Sequence, residues 1–262
     1  MGAISGIEWT DATWNPVTGC TKISPGCKFC YAERLARRLQ LMGNPRYTNG
    51  FTVTLHADQL ALPLRWRTPR RIFVNSMSDL FHADVPFEFV DRVFDVIENA
   101  PQHVFQILTK RPERLVDWYR IRSATRAIPV NAWLGVSIES HKYIARSDTL
   151  RRVNAAVRFI SAEPLLSSLG GLNLSGIAWL IAGGESGGSP GRALVRRDVG
   201  GWSVKPRARE WIAELREMCR IAGVAFFFKQ WGGRTPKAAG RELDGQTWSE
   251  YPRGCQQSRD IT

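Results

Sequence analysis

The feature that most restricts the fold is one local pattern, repeated along the chain. A short apolar run is followed at once by a polar or charged residue, and then by a segment with helical spacing. Arg71-Ile-Phe-Val-Asn75 leads into Ser76-Met-Ser-Asp79, and after Asp84-Val-Pro86 the residues Phe87, Val90, Val93, Phe94 and Ile97 recur on one helical face. His103-Val-Phe-Gln-Ile-Leu108 is followed by Thr109-Lys-Arg-Pro112 and a helix from Glu113 to Tyr119. Ala132-Trp-Leu-Gly-Val136 is followed by Ser137-Ile-Glu-Ser140 and a helix from His141 to Val153. Val157-Arg-Phe-Ile160 precedes Ser161-Ala-Glu-Pro164, and Ala178-Trp-Leu-Ile-Ala182 precedes Gly183-Gly-Glu-Ser186. A helix from about Pro206 to Ile221 leads to Val224-Ala-Phe-Phe-Phe228 and then Lys229-Gln-Trp-Gly232. Ile7 to Pro16 adds a weak first strand, which Pro16 confines to an edge or a terminus.

Alternating strands and helices imply a parallel sheet with right-handed crossovers. The expected fold is therefore α/β: a full or partial (β/α) TIM-type barrel with parallel strands. Functional residues in such folds gather at the carboxyl ends of the strands. The 262 residues suit one domain spanning the chain, with a basic insertion at about 187–205 and a polar tail at about 233–262.

Cys20-Thr-Lys-Ile-Ser-Pro-Gly-Cys27-Lys-Phe-Cys30 places three of the five cysteines in eleven residues. An odd count crowded into one segment argues against a disulfide framework and for reduced, metal-binding thiolates. Spacings of six and two residues suit a 4Fe–4S cluster that leaves one iron open to a small molecule. The alternative is zinc completed by a distant fourth ligand such as Cys255 or a histidine, although His56, His82, His103 and His141 show no ligand spacing. Cys219 shares a helical stripe with Ile212 and Leu215 and reads as core. From Cys30 the chain turns helical, with Tyr31, Leu35 and Leu39 on one face and Gly43 as a stop.

The net charge of +12 favours a polyanionic partner, most simply nucleic acid. Arg65-Trp-Arg-Thr-Pro-Arg-Arg71 interleaves four arginines with an aromatic, as suits phosphate contact with base stacking. Arg192 to Arg209 carries six basic residues opposed only by Asp198, and reads as a substrate or partner arm or as a solvated loop. The N-terminus lacks a secretory pattern, and no stretch approaches the ~20 apolar residues that span a bilayer. The expected address is cytoplasmic, without membrane attachment.

Cys27-Lys-Phe-Cys30, with an aromatic before the last cysteine, resembles the second half of the radical S-adenosylmethionine (radical SAM) signature. The block Ile7 to Glu33 resembles a phage-associated, three-cysteine-motif family of radical SAM-like proteins, with which the six-residue first gap is associated. Gly183-Gly-Glu-Ser186 and Phe226-Phe-Phe-Lys-Gln-Trp-Gly232 resemble that family's later motifs, so the likeness covers almost the whole chain.

The resemblance implies a 4Fe–4S cluster on Cys20, Cys27 and Cys30, S-adenosylmethionine as cofactor, and an electron donor. Reductive cleavage of the cofactor would give a 5′-deoxyadenosyl radical that abstracts hydrogen from an unreactive carbon. Phe29 would lie near the adenine. Ser76, Ser78 and Asp79 stand where the superfamily often has a Gly-Gly-Glu run, and Asp79 is alternatively a turn or cap residue. Ser137 and Glu139 would contact ribose hydroxyls or the methionine moiety. Glu163, kept out of a helix by Pro164, is expected to face the site. Lys110, Glu185 and Lys229 are candidate catalytic groups at other strand ends, either pairing with each other or binding substrate phosphate or carboxylate. The expected substrate is a nucleic-acid base or nucleotide. The alternatives are a small metabolite or peptide, or a non-enzymatic, metal-stabilised nucleic-acid-binding protein.

Overall fold

The computed structural model describes residues 5–187, 192 and 194–253. Seven parallel strands belong to one sheet: β1 (Ala12–Trp14), β2 (Arg71–Val74), β3 (Val104–Thr109), β4 (Ala132–Ser137), β5 (Val157–Ala162), β6 (Trp179–Gly183) and β7 (Ala225–Gln230). Five helices join them: α1 (Tyr31–Leu41), α2 (Phe87–Glu98), α3 (Pro112–Arg122), α4 (Arg146–Arg151) and α5 (Pro206–Ala222). The chain forms two compact units, Met1–Val136 with Thr149–Ala156 and Ser137–Asp148 with Val157–Thr262.

In the first unit β1 pairs with β2, β2 with β3 and β3 with β4. Every residue of β4 is buried, as expected of a parallel strand covered on both faces. Helix α2 buries Val90, Val93, Phe94 and Ile97 as its periodicity implies, with Phe89 buried beside them. Phe87 stays half-buried beneath the Arg114 guanidinium, 4.4 Å from its ring centroid.

Helix α1 differs from expectation. It buries Ala32 and Ala36, which pack with Tyr47 and Met77, while Tyr31 and Leu35 are exposed. The Tyr31 hydroxyl donates to the carbonyl of Ser76, so the ring reaches sideways to a strand end rather than down into the core.

In the second unit β5 pairs with β6 and β6 with β7. Helix α5 buries Ile212, Leu215 and Cys219 and ends at Gly223, whose φ of 65° is left-handed. Burial pushes the Cys219 thiol up to about 12, with the Glu250 charge adding to it, so this cysteine is a packed core residue. The helix expected over 141–153 is instead a 3₁₀ turn, His141–Tyr143, followed by the six-residue α4. The break lets Arg146 turn its guanidinium inward to the carbonyl of Ser137. Within the basic insertion, Val195–Asp198 and Gly201–Val204 form an antiparallel ribbon. Cys255 lies outside the described residues. No described helix is long and apolar enough to cross a membrane.

Candidate cluster site and strand-end groups

The cysteine loop is held at both ends by backbone geometry. Gly19 has a φ of 84°, and a Cβ there would lie 2.2 Å from the carbonyl oxygen of Thr52, so only glycine fits. Its N–H donates to Met77 O at 3.1 Å, and the N–H of Cys20 donates to Phe51 O at 3.1 Å. Pro25–Cys27 forms a 3₁₀ turn, and Cys30 sits at the N-cap of α1. Lys22 in the loop pairs at 2.8 Å with Glu33 in the first turn of α1, and Glu33 also pairs with Arg37 at 2.7 Å. All three cysteines are half-buried and free of disulfides.

Burial and the Asp79 carboxylate push the Cys20 thiol up to about 11, against the pull of Arg111. Burial also opposes the Cys27 thiolate. There the hydrogen bonding at Ile23 and Ser24, with the charge of Lys110, prevails and lowers the thiol below its ordinary value.

Asp79 is buried at the end of the loop after β2. One oxygen accepts from Phe81 N at 3.0 Å and Thr109 Oγ1 at 2.7 Å; the other accepts from Lys110 N at 3.1 Å and Arg111 Nη1 at 2.9 Å. As placed, this carboxylate organises the protein's own loops, in line with its turn reading. Ser76 and Ser78 donate to Asn15 Oδ1 at 3.1 Å and Val17 O at 2.8 Å, tying the end of β2 to the segment after β1. Phe29 is half-buried, with Lys28 Nζ 5.5 Å from its ring centroid.

Arg111 is the residue that sequence reasoning passed over. Its Nη1 lies 3.6 Å from Cys20 Sγ, while Nη2 donates to Thr21 O at 3.1 Å and Thr21 Oγ1 at 3.0 Å. Thr21 Oγ1 and His82 Nε2 share a hydrogen bond of 2.8 Å. The available signal was its place, one residue past Lys110 at the end of β3.

The second unit carries its own strand-end groups. Glu139 is fully buried and pairs at 2.9 Å with Arg146, whose Nη1 also donates to Ser137 O at 2.7 Å. Glu163 pairs with Lys229 at 3.1 Å, and Gly183 makes room for it, since a Cβ there would lie 2.6 Å from Glu163 Oε1. Glu185 pairs with Arg192 at 2.9 Å. Lys229 thus takes Glu163 as partner and Glu185 takes Arg192. Gly184 and Gly232 belong to one backbone crossing. A Cβ on Gly184 would lie 2.1 Å from Trp231 O, and one on Gly232 would lie 2.3 Å from Glu185 O. The paired glycines serve close approach of two strand-end loops, not a phosphate cradle.

The stretch Arg65–Arg71 does not form the expected stacking platform. Trp66 is buried, with the Arg70 guanidinium 5.0 Å from its ring centroid and His103 edge-on at 6.0 Å. Arg71 is held by Asp11 through Nε and Nη2. Arg65 and Arg67 remain exposed. Arg196 and Arg197 are exposed on the ribbon, which turns through the fully exposed Val199.

Among the described residues, no group of three or more His, Cys, Asp or Glu side chains is gathered tightly enough to hold a single ion. A cubane cluster asks for something different, one thiolate on each of several irons. Three thiols from one loop, with the Arg111 cation at Cys20 and the Lys110 charge acting on Cys27, fit the anionic thiolate corners of such a group.

No curated protein matches the chain. Spore photoproduct lyase complexed with dinucleoside spore photoproduct is similar in structure, with a TM-score of 0.52 at 11% identity over 87% of this chain and 78% of that one. A variant of that lyase with bound AdoMet and dinucleoside spore photoproduct gives 0.50 at 11% identity over the same shares. A variant with one Cys-to-Ser substitution gives 0.51 at 12% identity, again over 87% and 78%. The likeness shows the fold, an α/β architecture of the partial (β/α) TIM-type barrel class. Residues 4–252 match the family described as "Protein of unknown function (DUF5131)", and the chain belongs to that family.

Proposed function

We propose that the protein is a radical SAM enzyme acting on a nucleic-acid base or nucleotide, in modification or repair. The observation that carries the reading is the loop holding Cys20, Cys27 and Cys30, fixed beside the ends of β2 and β3 by Gly19, Ser78 and the Asp79–Arg111 pair. Its support is the fold shared with a lyase whose structure holds AdoMet and dinucleoside spore photoproduct. The resemblance to the phage-associated three-cysteine-motif family belongs to the same reading, with the chain as one such domain.

A 4Fe–4S cluster held by Cys20, Cys27 and Cys30 would supply the electron for reductive cleavage of S-adenosylmethionine. The chain's own residues hold and orient. Cys20, Cys27 and Cys30 are the cluster ligands. Phe29, Ser76, Ser78, Ser137 and Glu139 are the proposed cofactor-facing positions, with Asp79 acting through the loops it fixes. Glu163 with Lys229, Glu185 with Arg192, and Lys110 are charged groups for the cofactor's or substrate's polar ends. The exposed arginines of the ribbon, with Arg65 and Arg67, supply the phosphate contacts of a polyanionic substrate. Reduced thiolates and an electron donor call for a reducing compartment, the cytoplasm.

Anaerobic purification with iron and sulfide analysis, followed by dithionite and S-adenosylmethionine, tests this. About four irons per chain and release of 5′-deoxyadenosine are expected, with both lost when Cys27 becomes Ala. Stoichiometric zinc and intact S-adenosylmethionine in reconstituted protein would overturn it. Cleavage stimulated by a peptide or metabolite, and not by DNA, RNA or nucleotides, would retain the class and reject the substrate.

A further inference from the structure

We infer that Arg111 is a positioning residue that sets the reduction potential of the cluster through the Cys20 sulfur. This rests on the reading that the loop holds a cluster, and it concerns that cluster's electronics rather than its presence.

Arg111 is nearly enclosed, with 13% of its side chain exposed, and Asp79 with 8%. Its Nη1 faces two acceptors at once, Asp79 Oδ2 at 2.9 Å and Cys20 Sγ at 3.6 Å. The other fork nitrogen is fixed by the carbonyl and hydroxyl of Thr21, the residue next to the ligand. Thr21 is in turn held by His82, and Asp79 by Thr109 and two backbone N–H groups. The guanidinium is therefore held at both fork nitrogens and largely withdrawn from solvent, and one of its N–H groups is directed at sulfur.

Adding an electron to a cluster increases the negative charge on its thiolates. A donor or cation at a ligand sulfur favours the reduced form and raises the potential, and burial magnifies the effect. The carboxylate of Asp79 shares the same Nη1 as the sulfur and carries the opposite charge, so it acts on that sulfur in the opposite sense. The pair is thus a two-signed control. Removing the cation leaves the carboxylate unopposed beside the cluster, and removing the carboxylate's charge leaves the cation unopposed. A purely structural pair has no reason to shift the potential in opposite directions from its two halves.

The full-length chain, reconstituted anaerobically, is titrated with dithionite at controlled potentials while the reduced cluster is followed by electron paramagnetic resonance. Arg111→Met is expected to lower the one-electron midpoint by at least a tenfold change in the equilibrium, about 59 mV. Arg111→Lys, which keeps the charge but loses the fork, is expected between Met and wild type. Asp79→Asn is expected to move the midpoint upward. Wild-type midpoints in loaded Arg111→Met, or shifts of the same sign at Arg111 and Asp79, would overturn the inference. Loss of loading in both Arg111 variants would also overturn it, assigning the residue to loop folding alone. A wild-type chain that takes up no cluster would instead remove the underlying reading.

Discussion

Gly19 is the residue on which the cysteine loop turns, because its left-handed φ and the 2.2 Å approach to Thr52 O leave no room for a side chain. Gly19→Ala is expected to destabilise the protein by about 1–3 kcal/mol and to lower iron uptake, measured by chemical denaturation and iron assay. The thiols make a second prediction. Cys27 is lowered, while Cys20 is pushed up to about 11 and Cys219 to about 12. Alkylation of the metal-free protein near neutral pH, followed by peptide mass spectrometry, should label Cys27 before Cys20 and leave Cys219 until unfolding. The crowding of three cysteines in one loop and the core position of Cys219 were legible because residue type and spacing carry them. Arg111 and Arg146 were not. One gains its meaning from Cys20, far back in the sequence, and the other from a turn that interrupts an expected helix.

Elements with a strong period were readable in advance, such as α2, where Val90, Val93, Phe94 and Ile97 are buried as their spacing implies, and α5, which buries Ile212, Leu215 and Cys219. Of the face expected for α1, Leu39 packs against the buried Ala32 and Ala36, while Leu35 is exposed and Tyr31 turns aside to Ser76 O, a partner no periodicity reveals. The aromatic within Arg65–Arg71 misled for a related reason, since Trp66 packs edge-on against His103 in the core. The ribbon Val195–Val204 exposes Arg196 and Arg197. Replacing Arg196 and Arg197 with Ala should weaken nucleic-acid binding and flatten the log–log salt slope by up to about 1.8 for duplex DNA, about 0.9 per phosphate contact. Fluorescence anisotropy over a salt series measures it. An unchanged slope returns the ribbon to solvated surface.

For the whole molecule, stability should fall on acidification for a reason separate from the cysteines. His56 and His103 are buried, and burial drives both below the ordinary imidazole value of 6.5. The unfolded chain then binds protons before the folded one does. Stability is full above about pH 6.5 and declines as pH falls through that value. Denaturation midpoints at pH 8, 7, 6 and 5 check this, and His103→Gln should soften the decline. The parallel α/β class was legible at this scale, because each strand-and-helix repeat announces itself. Which charges pair with which was settled by folding.

Cys30 occupies the N-cap of α1, and the loop before it is tied to that helix again through Lys22 and Glu33. If Cys30 holds the proposed cluster, a ligand at the N-cap of a helix makes loading and folding a single linked equilibrium. Holo protein should therefore melt higher than apo protein, and the gap should close on addition of chelator or on exposure to air. The slowest amides of α1 should report cluster loss although they lie outside the ligand loop. Iron supply would then govern how much of the chain stays folded, as well as whether it can react.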